Sequence, residues 1–184
     1  MFPKVVALVL ALFVFALAVA AQQPAASLPA ETDAGVWNNV EVKELDLRVM
    51  MPARGSNFVD ERAGAVQSLE ALTRNGAYNV TIRSLDLPIE THSYSDYLDD
   101  ILVSFLTEKT KLLDKHDVEY EGTRGKQVTY LEGENRMFAR MFFLHGRLIV
   151  MSASFKNADY RPEFDAWVGR FFDSFRVKVP LLVA

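Results

Sequence analysis

Three apolar strands separated by short glycine turns fill the stretch from Lys126 to Phe155, and their pairing leaves neither face of the resulting sheet fit for water. Gly133-Glu134 and His145-Gly146 are two-residue turn signals, so Lys126–Glu132, Arg136–Leu144 and Arg147–Phe155 read as consecutive antiparallel strands. With His145-Gly146 as the loop, Phe143 faces Leu148 and Met141 faces Val150 on one side. On the other, Phe142 faces Ile149 and Arg140 faces Met151. A strand pair with two apolar faces must be covered on both.

Two helices can supply the covers. Leu98, Ile101, Leu102, Phe105 and Leu106 make one apolar stripe, which predicts a helix over Ser95–Leu113. Ser95 is its candidate N-cap, Asp96, Asp99 and Asp100 lie near its start, and Lys109, Lys111 and Lys115 lie near its end, an order that suits the helix dipole. The second helix, Pro162–Phe172, carries Phe164, Trp167, Val168, Phe171 and Phe172 on one side. Phe175 would add a further anchor, and Arg176-Val177 returns to strand.

Earlier in the chain, alternation at Leu45, Leu47, Val49 and Met51 predicts a strand stopped by Pro52, and Tyr78, Val80 and Ile82 predict another. Between them, Val66, Leu69 and Leu72 recur at helical spacing behind Asp60 as a possible cap. The Asn75-Gly76 turn calls instead for a partner strand over Gln67–Thr73, and the hairpin is our expectation. Asp117–Tyr120 reads as a short strand, separated from Lys126 by a Gly122–Gly125 loop.

The N-terminal end has a different character. Lys4 precedes an apolar run from Val5 to Val19, and Ala18-Val19-Ala20 is a small-x-small cleavage site, so residues 1–20 read as a signal peptide. Uncleaved, the same segment would be a membrane anchor, which is the one membrane contact the sequence suggests. Residues 21–35, rich in Ala, Pro, Ser and Thr, read as a flexible leader, and residues 36–184 as one globular domain. Zero cysteines fit an exported chain and exclude disulfides, thiol catalysis and cysteine-bound zinc. The net charge of −4 argues against a nucleic-acid partner, and loss of Lys4 with the signal would make it more negative.

Several of these residues together resemble a known family. Gly122, Gly125 and Lys126, the aromatic strand that follows, the Gly146–Val150 strand and the closing Phe172-Asp173-Ser174-Phe175 are similar to the exported domains related to PsbP and DcrB. The resemblance runs from Leu45 to Val177. It implies an α+β fold, a mainly antiparallel sheet sandwiched between helices (α/β/α), an architecture shared with a Ran-binding nuclear import factor. It also implies an assembly or interaction role with no catalytic residues to carry over. Arg124 stands where the family pattern has a proline.

The candidate chemistry is sparse. His92, His116 and His145 share no ligand spacing, so no metal site is expected, and His116 is explained by a nearby helix C-terminus. Asp96, Asp99 and Asp100 suit a helix start better than a calcium loop. Ser152 and Ser154 lie in a strand without a nucleophile elbow, Ser174 lies among core anchors, and Asn79-Val80-Thr81 is a glycosylation triplet inside a strand. Gly122–Lys126 lacks the spacing, the Ser or Thr and the following helix of a phosphate loop. It still presents Arg124 and Lys126, the binding residues we select for an anionic group or acidic partner. The expectation is an exported, periplasmic or secreted, non-catalytic interaction or assembly domain with a protein or envelope partner and no cofactor. The alternative is a carrier of a small apolar ligand, for which the ten phenylalanines beyond the signal could line a pocket.

Overall fold

A computed structural model of the chain describes residues 37–42, 47–52, 58–63, 66–73, 75–84, 94–144 and 146–177. The signal segment, the leader, His92 and His145 lie outside the described residues. The order of elements is β1 (Trp37–Val42), β2 (Leu47–Pro52), β3 (Phe58–Ala63), β4 (Val66–Leu72), β5 (Gly76–Ser84) and α1 (Tyr94–Phe105). It continues with β6 (Thr110–Tyr120), β7 (Thr123–Glu132), β8 (Asn135–Leu144), β9 (Arg147–Lys156), α2 (Glu163–Asp173) and β10 (Arg176–Val177).

Strands β3-β4-β5-β9-β8-β7-β6 form an antiparallel seven-stranded sheet, and β1-β2-β10 form a second, three-stranded sheet. The β8–β9 pairing follows the expected register, with Phe143 opposite Leu148 and Phe142 opposite Ile149. Both faces of that pair are buried. On one, Met141, Phe143, Leu148 and Val150 pack with Leu98, Ile101 and Leu102 of α1. On the other, Phe142, Ile149 and Met151 pack with Phe164, Val168, Phe171 and Phe172 of α2 and with Leu47, Val49 and Met51 of β2. The α/β/α sandwich therefore has a small sheet beside α2 in its second outer layer.

The closing motif holds that layer in place. Phe175 stacks on Phe142 at 6.3 Å and meets Tyr120 at 5.2 Å. Ser174 Oγ accepts the Met50 amide at 2.8 Å and donates to the Phe171 carbonyl at 2.7 Å, joining α2 to β2. Asp173 pairs with Arg140 at 2.9 Å, and the Arg140 guanidinium lies 4.8 Å from the centre of the Phe172 ring. Arg176 Nη1 donates to the carbonyls of Asp173 and Phe175, satisfying acceptors that the helix end would otherwise leave open.

Several sequence expectations need correction. The first helix begins at Tyr94, so Ser95 lies in its first turn rather than at its cap, and it ends at Phe105 instead of Leu113. Thr107 stops it: its carbonyl accepts both the Thr110 amide at 3.0 Å and the Thr110 hydroxyl at 2.7 Å, and its own hydroxyl accepts the Lys109 amide. The chain then enters β6 at Thr110, where pairing with β7 overrides the helix expected up to Leu113. His116 accordingly sits in a strand, far past the helix end that was to explain it.

The other corrections concern turns and strands. The β4–β5 hairpin is present, but it closes between Thr73 and Gly76, with the Thr73 amide donating to the Gly76 carbonyl at 2.8 Å. Gly76 is thus a strand residue, required because a Cβ there would meet the Ser154 carbonyl and lie 2.7 Å from the Phe155 ring. Asp60 is no helix cap, since it lies in β3 opposite Leu69. Finally, the loop expected at Gly122–Gly125 is a two-residue turn, Glu121-Gly122, with φ of 48° and 76°. Both residues are left-handed, as tight hairpins of this twist require, and Glu121 is strained there. Glu121→Asn is expected to raise stability by up to about 1 kcal/mol, read as a higher urea midpoint at unchanged slope.

Candidate interaction site

With the turn moved to Glu121-Gly122, Thr123, Arg124 and Gly125 become the first residues of β7, and β6 runs beside them as the last strand of the large sheet. Among the described residues no strand pairs with the outer side of β6. From Lys111 to Asp117 every residue of β6 is exposed, so over that length both of its faces meet solvent. Leu112 and Leu113 are 41% and 40% exposed, with Leu113 inside the register shift between Leu112 and Asp114, and Val103 of α1 is 69% exposed nearby in sequence.

The two selected residues have different surroundings. Arg124 is exposed and stands opposite Glu119. Lys126 is buried on the α1 side, its side chain only 9% exposed, between Asp117 of β6 at 2.7 Å and Asp99 of α1 at 3.1 Å. Asp99 also accepts Lys115 at 2.6 Å. One helix carboxylate and one strand carboxylate thus satisfy a lysine that the sheet has largely removed from water. The sequence reading of an open, solvated Lys126 does not hold. Asp99, and the Lys115 that also pairs with it, were read as helix-dipole residues, whereas both belong to this ionic cluster.

The electrostatics follow from these contacts. The hydrogen bond from Lys115 holds the Asp99 carboxyl below the usual range, and that from Lys126 does the same for Asp117. Asp117, and after it Asp99, holds the Lys126 ammonium above its usual value against the opposing effect of burial. Depressed carboxyl values contribute stability that is complete above the unfolded value of 3.8 and is lost as pH falls through the lower folded ones. Asp99→Asn/Asp117→Asn is therefore expected to be less stable than the parent at pH 7, with the gap narrowing towards pH 3 as the parent's own carboxylates protonate. Urea midpoints at the two pH values test this, and a gap that widened in acid would refute it.

The remaining candidates are structural in their contacts. His116 Nδ1 lies 2.9 Å from Asp114 Oδ2, and among the described residues no group of three or more His, Asp or Glu is placed to hold a metal ion. Asn79 of β5 donates to Ser68 Oγ of β4 and accepts from Thr81 Oγ1 of its own strand, both at 2.8 Å. Burial, followed by its hydrogen bond with Asp165, pushes the Tyr160 phenol up to about 12, and the Arg136 guanidinium lies 3.8 Å from its ring centre.

The layers and their connections define a class: the chain has the PsbP-like α/β/α fold. The solution structure of cyanobacterial PsbP (CyanoP) from Synechocystis sp. PCC 6803 matches it with a TM-score of 0.56 at 14% identity, over 82% of this chain and 98% of that one. The crystal structure of PA94, a protein of unknown function from Pseudomonas aeruginosa, matches with a TM-score of 0.46 at 12% identity, over 73% of this chain and 93% of the other. No protein-family model and no curated protein matches the sequence. At such identities the likeness concerns the fold, and a fold does not assign a function.

Proposed function

We propose that the protein is an exported, non-catalytic interaction or assembly domain, periplasmic or secreted, that meets a protein or envelope partner along the outer edge of β6. The observation that carries this reading is β6 itself, an eleven-residue strand whose outer edge is paired by no strand among the described residues and whose residues from Lys111 to Asp117 are all exposed. Such an edge offers backbone donors and acceptors to an added strand, and its side chains give the choice of partner. Export rests on the character of residues 1–20. The absence of catalysis is supported by how the polar groups are used: Lys126, Asp99, Asp117, Arg140 and Ser174 all bind neighbouring elements of the protein.

Eight of the ten phenylalanines that motivated the carrier reading are buried in the two cores, which leaves that reading without an observation in its favour. A photo-crosslinking residue at Lys111, Asp114 or Glu119 in growing cells is expected to give discrete adducts, while one at Glu70 of β4 is not. Equal labelling at all four positions, or none, would remove the proposal. Fractionation of the same cells tests export, which requires recovery outside the cytoplasm.

A further inference from the structure

We infer that the partner of the β6 edge is a second copy of this chain, joined by antiparallel β6–β6 pairing about a two-fold axis at Asp117. The inference rests on the proposed use of that edge and adds the occupant. Its geometry comes from the strand's own limits. The register shift between Leu112 and Asp114 interrupts β6 on one side, and the Glu121-Gly122 turn ends it on the other. The regular stretch is Asp114–Tyr120, and its midpoint is Asp117. A two-fold axis there pairs the whole stretch with itself, which is the self-complementary contact a symmetric dimer needs.

The charges suit that register. Lys115, Asp117 and Glu119 lie on the α1 face of β6, because their β7 partners Val128, Lys126 and Arg124 share that side. Pairing about Asp117 sets Lys115 of one copy opposite Glu119 of the other, twice over. Each of these already has a neighbour of opposite sign in its own copy, Asp99 for Lys115 and Arg124 for Glu119. Charges therefore alternate across the seam: Asp99, Lys115, then Glu119 and Arg124 of the second copy. Asp117 meets its own symmetry mate at the axis, where each carboxylate is held by a Lys126 at 2.7 Å. On the opposite face His116 meets Val118, and Asp114 meets Tyr120. Directly opposed unlike charges favour a strand pair and like charges oppose it. Because the seam is one strand wide and ionic, assembly should be concentration-dependent and weakened by salt.

Charge reversal on either side of the seam tests this in the purified chain, in the form the host processes it. By sedimentation equilibrium the parent is expected at twice its monomer mass at high concentration. Lys115→Glu and Glu119→Lys each place like charges opposite one another and should each be monomeric. An equal mixture of the two restores both unlike pairs and should re-form a dimer containing one of each. Circular dichroism melts of the single variants check that both remain folded. A parent that stays monomeric across its soluble range, single variants that remain dimeric, or a mixture that fails to associate would each overturn the inference. A monomeric parent that still forms a specific β6 adduct in cells would leave the interaction reading standing with a different occupant.

Discussion

Phe171→Ala is expected to lower the unfolding free energy by about 3–5 kcal/mol, the largest loss from any single truncation in the protein. The ring is fully buried where α2 meets the large sheet, set edge-on to Tyr78 at 5.4 Å and beside Phe172 at 5.5 Å. Tyr78 in turn meets Trp37 and Phe155, so the ring is an inner member of an aromatic network joining both sheets. Alanine would leave a cavity whose walls belong to separate elements and cannot close together. Urea unfolding at pH 7 is the measurement. A loss below about 1 kcal/mol would mean that the helix is not docked as described.

Gly125→Val should be nearly as damaging, by about 3 kcal/mol or more, for the opposite reason. Gly125 pairs with Phe142, whose ring lies over the glycine, and a Cβ there would meet the Met141 carbonyl as well as Phe142 Cε1 at 2.6 Å. The conflict with the Met141 carbonyl is with backbone, so the strands themselves must separate to relieve it. Gly133 makes a useful contrast: its φ is +58°, and a Cβ there has nothing within 4 Å. Gly133→Asn should cost far less, since asparagine tolerates that conformation. Equal losses at the two glycines in parallel denaturation curves would rule out the steric explanation.

How much of this was legible depends on whether local pattern and tertiary pairing agree. At β8 and β9 they do, because glycine turns fix the register and alternating apolar residues fix both faces, so individual cross-strand partners could be read. For α2 the aromatic stripe and the buried face coincide. They disagree after Phe105, where residues expected in the helix up to Leu113 are drawn into a strand by β7 from Thr110 onward. Strands β1 and β3 were missed because Trp37–Val42 and Phe58–Ala63 lack clear alternation. Arg124 and Lys126 stood out as a basic pair, but the burial of Lys126 was hidden by a loop drawn over Gly122–Gly125 in place of the Glu121-Gly122 turn. Counting outward from Glu121-Gly122 sets Tyr120 opposite Thr123 and Asp117 opposite Lys126, so half of the ionic cluster was within reach. Asp99, arriving from a helix, was not.

The small sheet bears on the order in which the protein can be completed. Its middle strand, β2, takes β1 as a neighbour from next to it in the sequence, but its other neighbour, β10, consists of Arg176 and Val177, paired with Arg48 and Leu47. The β6-to-β9 meander closes entirely through sequence-adjacent contacts, which makes rapid assembly accessible to it. β2 must wait for residues more than a hundred positions away. A chain made or threaded from its N-terminus thus holds its first hairpin without a finished sheet until the last helix and Val177 are available. Its slowest native contacts are those between its two ends.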